Sequence, residues 1–150
     1  MTEKYKALIV DDNDVNATIT AEMLNSFELE GSIAVSGTEA IRMIRENRYA
    51  FVLMDYIMPE MNGIEATRRI REFSEVPIYA MTGDREGEVA AEFCSAGANS
   101  AISKPPRLNE LIRIIRGHVP EGFYRIEEGM LNGAEESYGK NTDLTARYRE

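Results

Sequence analysis

The sequence predicts an α/β fold in which a parallel sheet is covered by helices on both faces. Three observations carry that expectation. Short apolar runs alternate five times with stretches of helix-forming, amphipathic sequence. The third run, Ala50–Met54, is apolar without alternation, as a strand buried on both faces is. Four of the five runs stop at a charged or hydroxyl residue: Asp11-Asp12, Asp55, Thr82 and Lys104. Parallel strands joined by right-handed crossovers bring those four endings to one edge of the sheet.

The elements follow in order. Lys6-Ala7-Leu8-Ile9-Val10 is a first buried strand that runs into Asp11-Asp12-Asn13-Asp14. Val15, Ile19, Met23 and Phe27 recur every four residues and predict the apolar face of a helix starting near Asp14. After Gly31, Ser32–Val35 forms a second strand, and Gly37-Thr38 opens a helix that buries Ala40, Ile41 and Ile44. Ala50–Met54 is the third strand, with Asp55 at its end. Pro59 and Asn62-Gly63 are turn residues, and a helix follows to about Glu72.

Val76–Met81 is a fourth strand, delivering Thr82-Gly83-Asp84. Val89, Ala90, Phe93 and Cys94 give the inner face of a fourth helix, stopped at Ala96-Gly97. Ser100–Ser103 is a weakly marked fifth strand leading to Lys104-Pro105-Pro106. Leu108, Leu111, Ile112 and Ile115 form the stripe of a last helix, ending near Gly117. His118, the only histidine, reads as a favourable cation at that helix's carboxyl end.

With 150 residues the chain suits one ordinary domain plus an appendage. The texture changes at His118, which sets domains at 1–117 and 118–150. The second segment carries seven acidic and four basic residues, with Phe123, Tyr124, Ile126, Met130, Leu131 and Tyr138 too apolar for a plain spacer. It reads either as an autoinhibitory or homodimer-forming element on the face of the fourth helix, fifth strand and fifth helix, or as a linker. The net charge of −9 argues against nucleic acid as a partner. No apolar run reaches membrane-spanning length and no secretory leader precedes the first strand, so a cytoplasmic protein without membrane insertion is expected. Cys94 is the only cysteine, which excludes an internal disulfide and reads as a small buried helix residue.

Gathered at one edge, Asp11, Asp12 and Asp55 would repel one another, and a hard divalent cation such as Mg²⁺ is the usual answer. A metal beside a carboxylate, with a hydroxyl and an ammonium for the remaining oxygens, suits capture of a phosphoryl group with Asp55 as nucleophile. An enzymatic alternative is a phosphatase resembling the haloacid dehalogenases, with its nucleophile in Asp12-Asn13-Asp14-Val15. That reading needs Thr or Val at Asn16 and an acidic pair after Lys104, and has neither.

As a set, Val10-Asp11-Asp12, Met54-Asp55 with Met58-Pro59, Asn62-Gly63, Met81-Thr82-Gly83, Ala96-Gly97-Ala98 and Ser103-Lys104-Pro105 resemble the receiver domain of two-component response regulators. The resemblance spans residues 5 to about 117. It implies a flavodoxin-like (βα)5 doubly wound parallel sheet of strand order 2-1-3-4-5. It further implies Asp55 as phosphoacceptor, and Mg²⁺ held by Asp11, Asp12, Asp55 and the Ile57 main-chain carbonyl. Thr82 and Lys104 are implied on the phosphoryl oxygens, with a cis Lys104-Pro105 bond. The implied role is a switch, not a conventional enzyme: phosphate comes from a histidine kinase or histidine phosphotransfer protein, and the output is contact with a downstream protein target. One departure stands out: the family's aromatic three residues before the lysine is replaced by Ala101.

Overall fold

The computed structural model describes residues 3–131. Five strands, β1 (Lys6–Val10), β2 (Glu30–Ala34), β3 (Phe51–Asp55), β4 (Ile78–Thr82) and β5 (Ser100–Ser103), alternate with five helices. These are α1 (Asp14–Ser26), α2 (Gly37–Glu46), α3 (Gly63–Arg71), α4 (Glu88–Ala96) and α5 (Leu108–His118). All pairings are parallel and the sheet order is β2-β1-β3-β4-β5, the order the resemblance implies. The edge strand β2 begins two residues earlier than expected, and Val35 falls outside it, exposed.

The period of two along each strand divides the core into two layers. Ala7 and Ile9, Phe51 and Leu53, and Tyr79 and Met81 face the layer filled by α1 and α5. Leu8 and Val10, Val52 and Met54, and Ile78 and Ala80 face α2, α3 and α4. Every residue of β3 is buried, because it is the central strand, with β1 on one side and β4 on the other. This explains its unbroken apolar run.

Three helices start where a side-chain oxygen accepts an orphan backbone N–H: Asn13 from Asn16, Ser36 from Glu39 and Asn62 from Glu65. Gly97 closes α4 at φ 117°, a left-handed conformation that favours glycine. The buried face of α1 differs from expectation. Ala17, Thr20, Ala21 and Leu24 pack inward, whereas Val15 is 67% and Ile19 48% exposed. A row of every fourth residue drifts around a 3.6-residue helix, so the row beginning at Val15 on the solvent side meets the core at half-buried Met23 and enters it at Phe27. Cys94 is also exposed, since α4 buries Ala90, Phe93 and Ala96 and turns the next position outward.

Of the segment after α5, residues 119–131 lie at the amino-terminal end of the strands, opposite Asp55. Val119 is buried, and Tyr124, Ile126 and Met130 pack against the α1–α5 layer. Phe123 meets Tyr5 edge-to-face at 5.0 Å, and the Arg125 N–H donates to the Phe27 carbonyl at 3.0 Å. Tyr138 lies outside the described residues. His118 is the last residue of α5, half-buried, with Nε2 2.6 Å from the Tyr79 hydroxyl. It stands in the last turn of α5, as expected, and burial lowers the pKa of its imidazole, which disfavours the charged form there.

Candidate phosphoryl-acceptor site

Because the strands are parallel, the carboxyl ends of β1, β3, β4 and β5 share one edge. Asp11, Asp12, Asp55, Thr82 and Lys104 line a single open crevice there. Asp11 and Asp55 are only 2% and 4% exposed, while Asp12 faces solvent. Ligand oxygens of these three residues all lie within 4.8 Å of one another. Desolvation raises the pKa of Asp11. The Asn13 N–H bound to its Oδ1 opposes that rise, the neighbouring Asp55 charge adds to it, and Lys104 again opposes it.

Lys104 supplies the local positive charge. Its Nζ is 2.8 Å from Asp55 Oδ1 and 4.0 Å from Asp11 Oδ2. The peptide bond that follows it matches expectation, since Lys104-Pro105 is cis. Asp55 Oδ1 also accepts the N–H of Tyr56 at 2.8 Å. One oxygen of Asp55 thus carries two donors, and the ammonium neutralises charge that burial would otherwise disfavour.

The loop after Asp55 is folded tightly against the site. The Gly63 N–H donates to the Tyr56 carbonyl at 2.8 Å, returning the chain to Asp55 before α3 starts. A Cβ on Gly63 would sit 2.0 Å from the Asp55 carbonyl oxygen and 2.8 Å from Phe93, so only glycine fits. Ile57, 76% exposed, forms part of the rim.

Thr82 is half-buried at the end of β4, with its hydroxyl engaged in its own loop. Its Oγ1 accepts the Asp84 N–H at 3.2 Å, and Asp84 Oδ1 accepts the Glu86 N–H at 3.1 Å. Two lining residues, Asn13 and Asn16, had no site role in the sequence reading. Asn13 signals itself only as a helix cap, and Asn16 lines the crevice because it lies in the first turn of α1, over the end of β1. Glu110 was missed altogether, although Arg107 and Glu110 have capping-box spacing: the Arg107 N–H donates to Glu110 Oε1 at 2.9 Å.

The crevice at the carboxyl edge of this 2-1-3-4-5 sheet thus gathers three carboxylates, a hydroxyl and an ammonium, at the edge where open α/β sheets place their ligands. Residues 7–116 match the response regulator receiver domain family, and the chain belongs to that family. It is 41% identical over 108 residues to the autoinducer 2 sensor kinase/phosphatase LuxQ of Vibrio vulnificus, covering 71% of this chain and 13% of that protein. Against two-component response regulator 24 of Arabidopsis thaliana it is 37% identical over 114 residues, covering 75% of this chain and 82% of that one.

Among solved structures, the magnesium-bound receiver domain of the Pseudomonas aeruginosa sensor histidine kinase PA1611 superposes with a TM-score of 0.70 at 33% identity, covering 77% of this chain and 98% of that one. The receiver domain of Ssk1 from Saccharomyces cerevisiae, solved with the histidine phosphotransfer protein Ypd1, gives 0.70 at 27%, covering 79% and 90%. No helix among the described residues is long and apolar enough to cross a membrane.

Proposed function

We propose that this chain is a phosphorylation switch in which Asp55 accepts a phosphoryl group from the phosphohistidine of a histidine kinase or histidine phosphotransfer protein. The carrying observation is the pairing of buried Asp55 with Lys104 at 2.8 Å inside a crevice shared with Asp11 and Asp12. An Asp55 oxygen attacks phosphorus, the P–N bond to the donor imidazole breaks, and Asp55 becomes an acyl phosphate. With two donors on Oδ1, Oδ2 is the oxygen placed to attack. Lys104 then transfers its hydrogen bonding to a phosphoryl oxygen, and the Thr82 hydroxyl turns from Asp84 to a second one. A single acceptance per donor encounter makes the protein a signalling element, not a conventional enzyme.

The acidic trio fits a hard divalent cation: three carboxylates converge within 4.8 Å, and among the described residues Lys104 is the cation paired with them. Mg²⁺ on Asp11, Asp12, Asp55 and the Ile57 carbonyl would neutralise the charge gathered on the phosphoryl oxygens during transfer. The Mg²⁺ in the PA1611 relative supports that choice. Exposed Val15 and Ile19 flank Asn16 at the crevice and give the phosphate donor an apolar foothold. The output is contact with a downstream protein. The receiver unit is 1–117 and the extension 118–150, a division supported by the family match ending at residue 116. A phosphohistidine donor and the lack of a membrane-spanning helix among described residues support a cytoplasmic location.

Intact-mass measurement after treatment with acetyl phosphate and Mg²⁺, or with a phosphorylated donor, tests this reading. Wild type gains one phosphoryl group and Asp55→Asn gains none. No gain in wild type with either donor would leave a receiver-like module that binds constitutively.

A further inference from the structure

Ala101 has no side chain that could relay the state of Asp55, yet Thr82 and Lys104 are joined elsewhere. Glu110 in the first turn of α5 is 1% exposed, and its carboxylate is held by partners from three segments. Oε1 accepts the Arg107 N–H at 2.9 Å. Oε2 accepts the Ser103 N–H at 3.0 Å, the Ser103 hydroxyl at 3.3 Å and the Arg85 guanidinium at 3.2 Å. Ser103 immediately precedes Lys104. Arg85 is three residues after Thr82, in the loop whose turn is held by the Thr82 hydroxyl on the Asp84 N–H.

We propose that Glu110 and Arg85 are positioning residues that couple the Asp55 crevice to α5. Resting on the phosphorylation reading above, the coupling runs as follows. When the Thr82 hydroxyl leaves Asp84 for a phosphoryl oxygen, the 83–87 loop loses its turn contact and Arg85 shifts with it. The same ligand draws on Lys104 and therefore on Ser103. Both displacements converge on one carboxylate, which at 1% exposure cannot exchange a lost partner for bulk solvent and so shifts when they move. The first turn of α5 follows Glu110, because the Arg107 N–H is fixed to it. The face so remodelled comprises the 83–87 loop and the amino-terminal turn of α5.

The test uses the full ¹⁵N-labelled chain titrated with beryllium fluoride and Mg²⁺, a non-transferable phosphoryl mimic. In wild type, amide resonances of 82–88 and also of 103 and 107–111 shift on binding. In Arg85→Ala and in the neutral Arg85→Gln, the 82–88 response and the affinity stay within about threefold, while the α5 response falls by about half or more. Arg85→Lys, which keeps the charge, restores part of it. An undiminished α5 response in both neutral variants overturns the coupling, as does a wild type that shifts at 82–88 but not in α5. A wild type with no response at 82–88 overturns the phosphorylation reading and the coupling with it.

Discussion

Lys104 is the residue on which the resting electrostatics of the crevice turn. Its ammonium contacts one buried carboxylate at 2.8 Å and stands 4.0 Å from a second. Lys104→Ala leaves Asp11 and Asp55 facing each other without that charge. Because the lysine side chain is about one-third exposed, a loss of about 1–3 kcal/mol in chelator is expected, below the full cost of a broken buried pair. Saturating Mg²⁺ narrows the gap between variant and wild type in urea unfolding; a gap that ignores Mg²⁺ would contradict the cation site. His118 gives a pH dependence of known sign. Burial lowers its folded pKa below the ordinary 6.5, so the unfolded chain binds the proton more readily. The stability it contributes is complete above 6.5 and is lost as pH falls towards the folded value. Unfolding midpoints measured from about pH 7.5 to 5 should fall more steeply for wild type than for His118→Gln, which keeps a partner for Tyr79. Parallel curves would remove His118 as the cause.

Among the elements, the β3–α3 connection is the most tightly specified. Gly63 brings α3 against the backbone of Asp55 where no side chain fits. Gly63→Ala must displace the loop or the strand end, at a cost of about 1–3 kcal/mol. Phosphoryl acceptance should also slow, because the displaced atom belongs to Asp55. Thermal unfolding together with the initial rate of acetyl phosphate labelling checks both halves; an alanine variant with wild-type stability and rate would rule out the close approach. Helix α1 makes a different point. Its buried stripe runs through Ala17, Thr20 and Ala21 to Leu24, and its first three members are small side chains that a search for large apolar ones passes over, while its valine and isoleucine are exposed.

Across the whole molecule, residues 119–131 are tied into the core, with Tyr124, Ile126 and Met130 against the α1–α5 layer and Arg125 on Phe27. A chain ending at Val119 exposes that layer at the amino-terminal end of the strands, far from Asp55. Its stability should drop by about 1–3 kcal/mol from lost apolar burial, while phosphoryl acceptance per folded molecule is kept. Urea unfolding and intact-mass labelling of the truncated chain measure the two effects, and a loss of labelling without a loss of stability would place the segment in the switch instead. Much of this architecture was legible in the sequence. Alternating apolar runs and helical stretches specify parallel crossovers, and parallel crossovers oblige Asp11, Asp12, Asp55, Thr82 and Lys104 to share an edge, so strand endings alone locate the crevice. What only the tertiary structure decided depends on contacts between segments distant in sequence. These include the half-buried His118 paired with the Tyr79 hydroxyl, the outward turn of Val15 and Cys94, and the convergence of Arg85 and Ser103 on Glu110. Periodicity reports which side of an element is apolar; which side is buried, and which charge it finds there, is settled by packing against neighbours that local sequence does not encode.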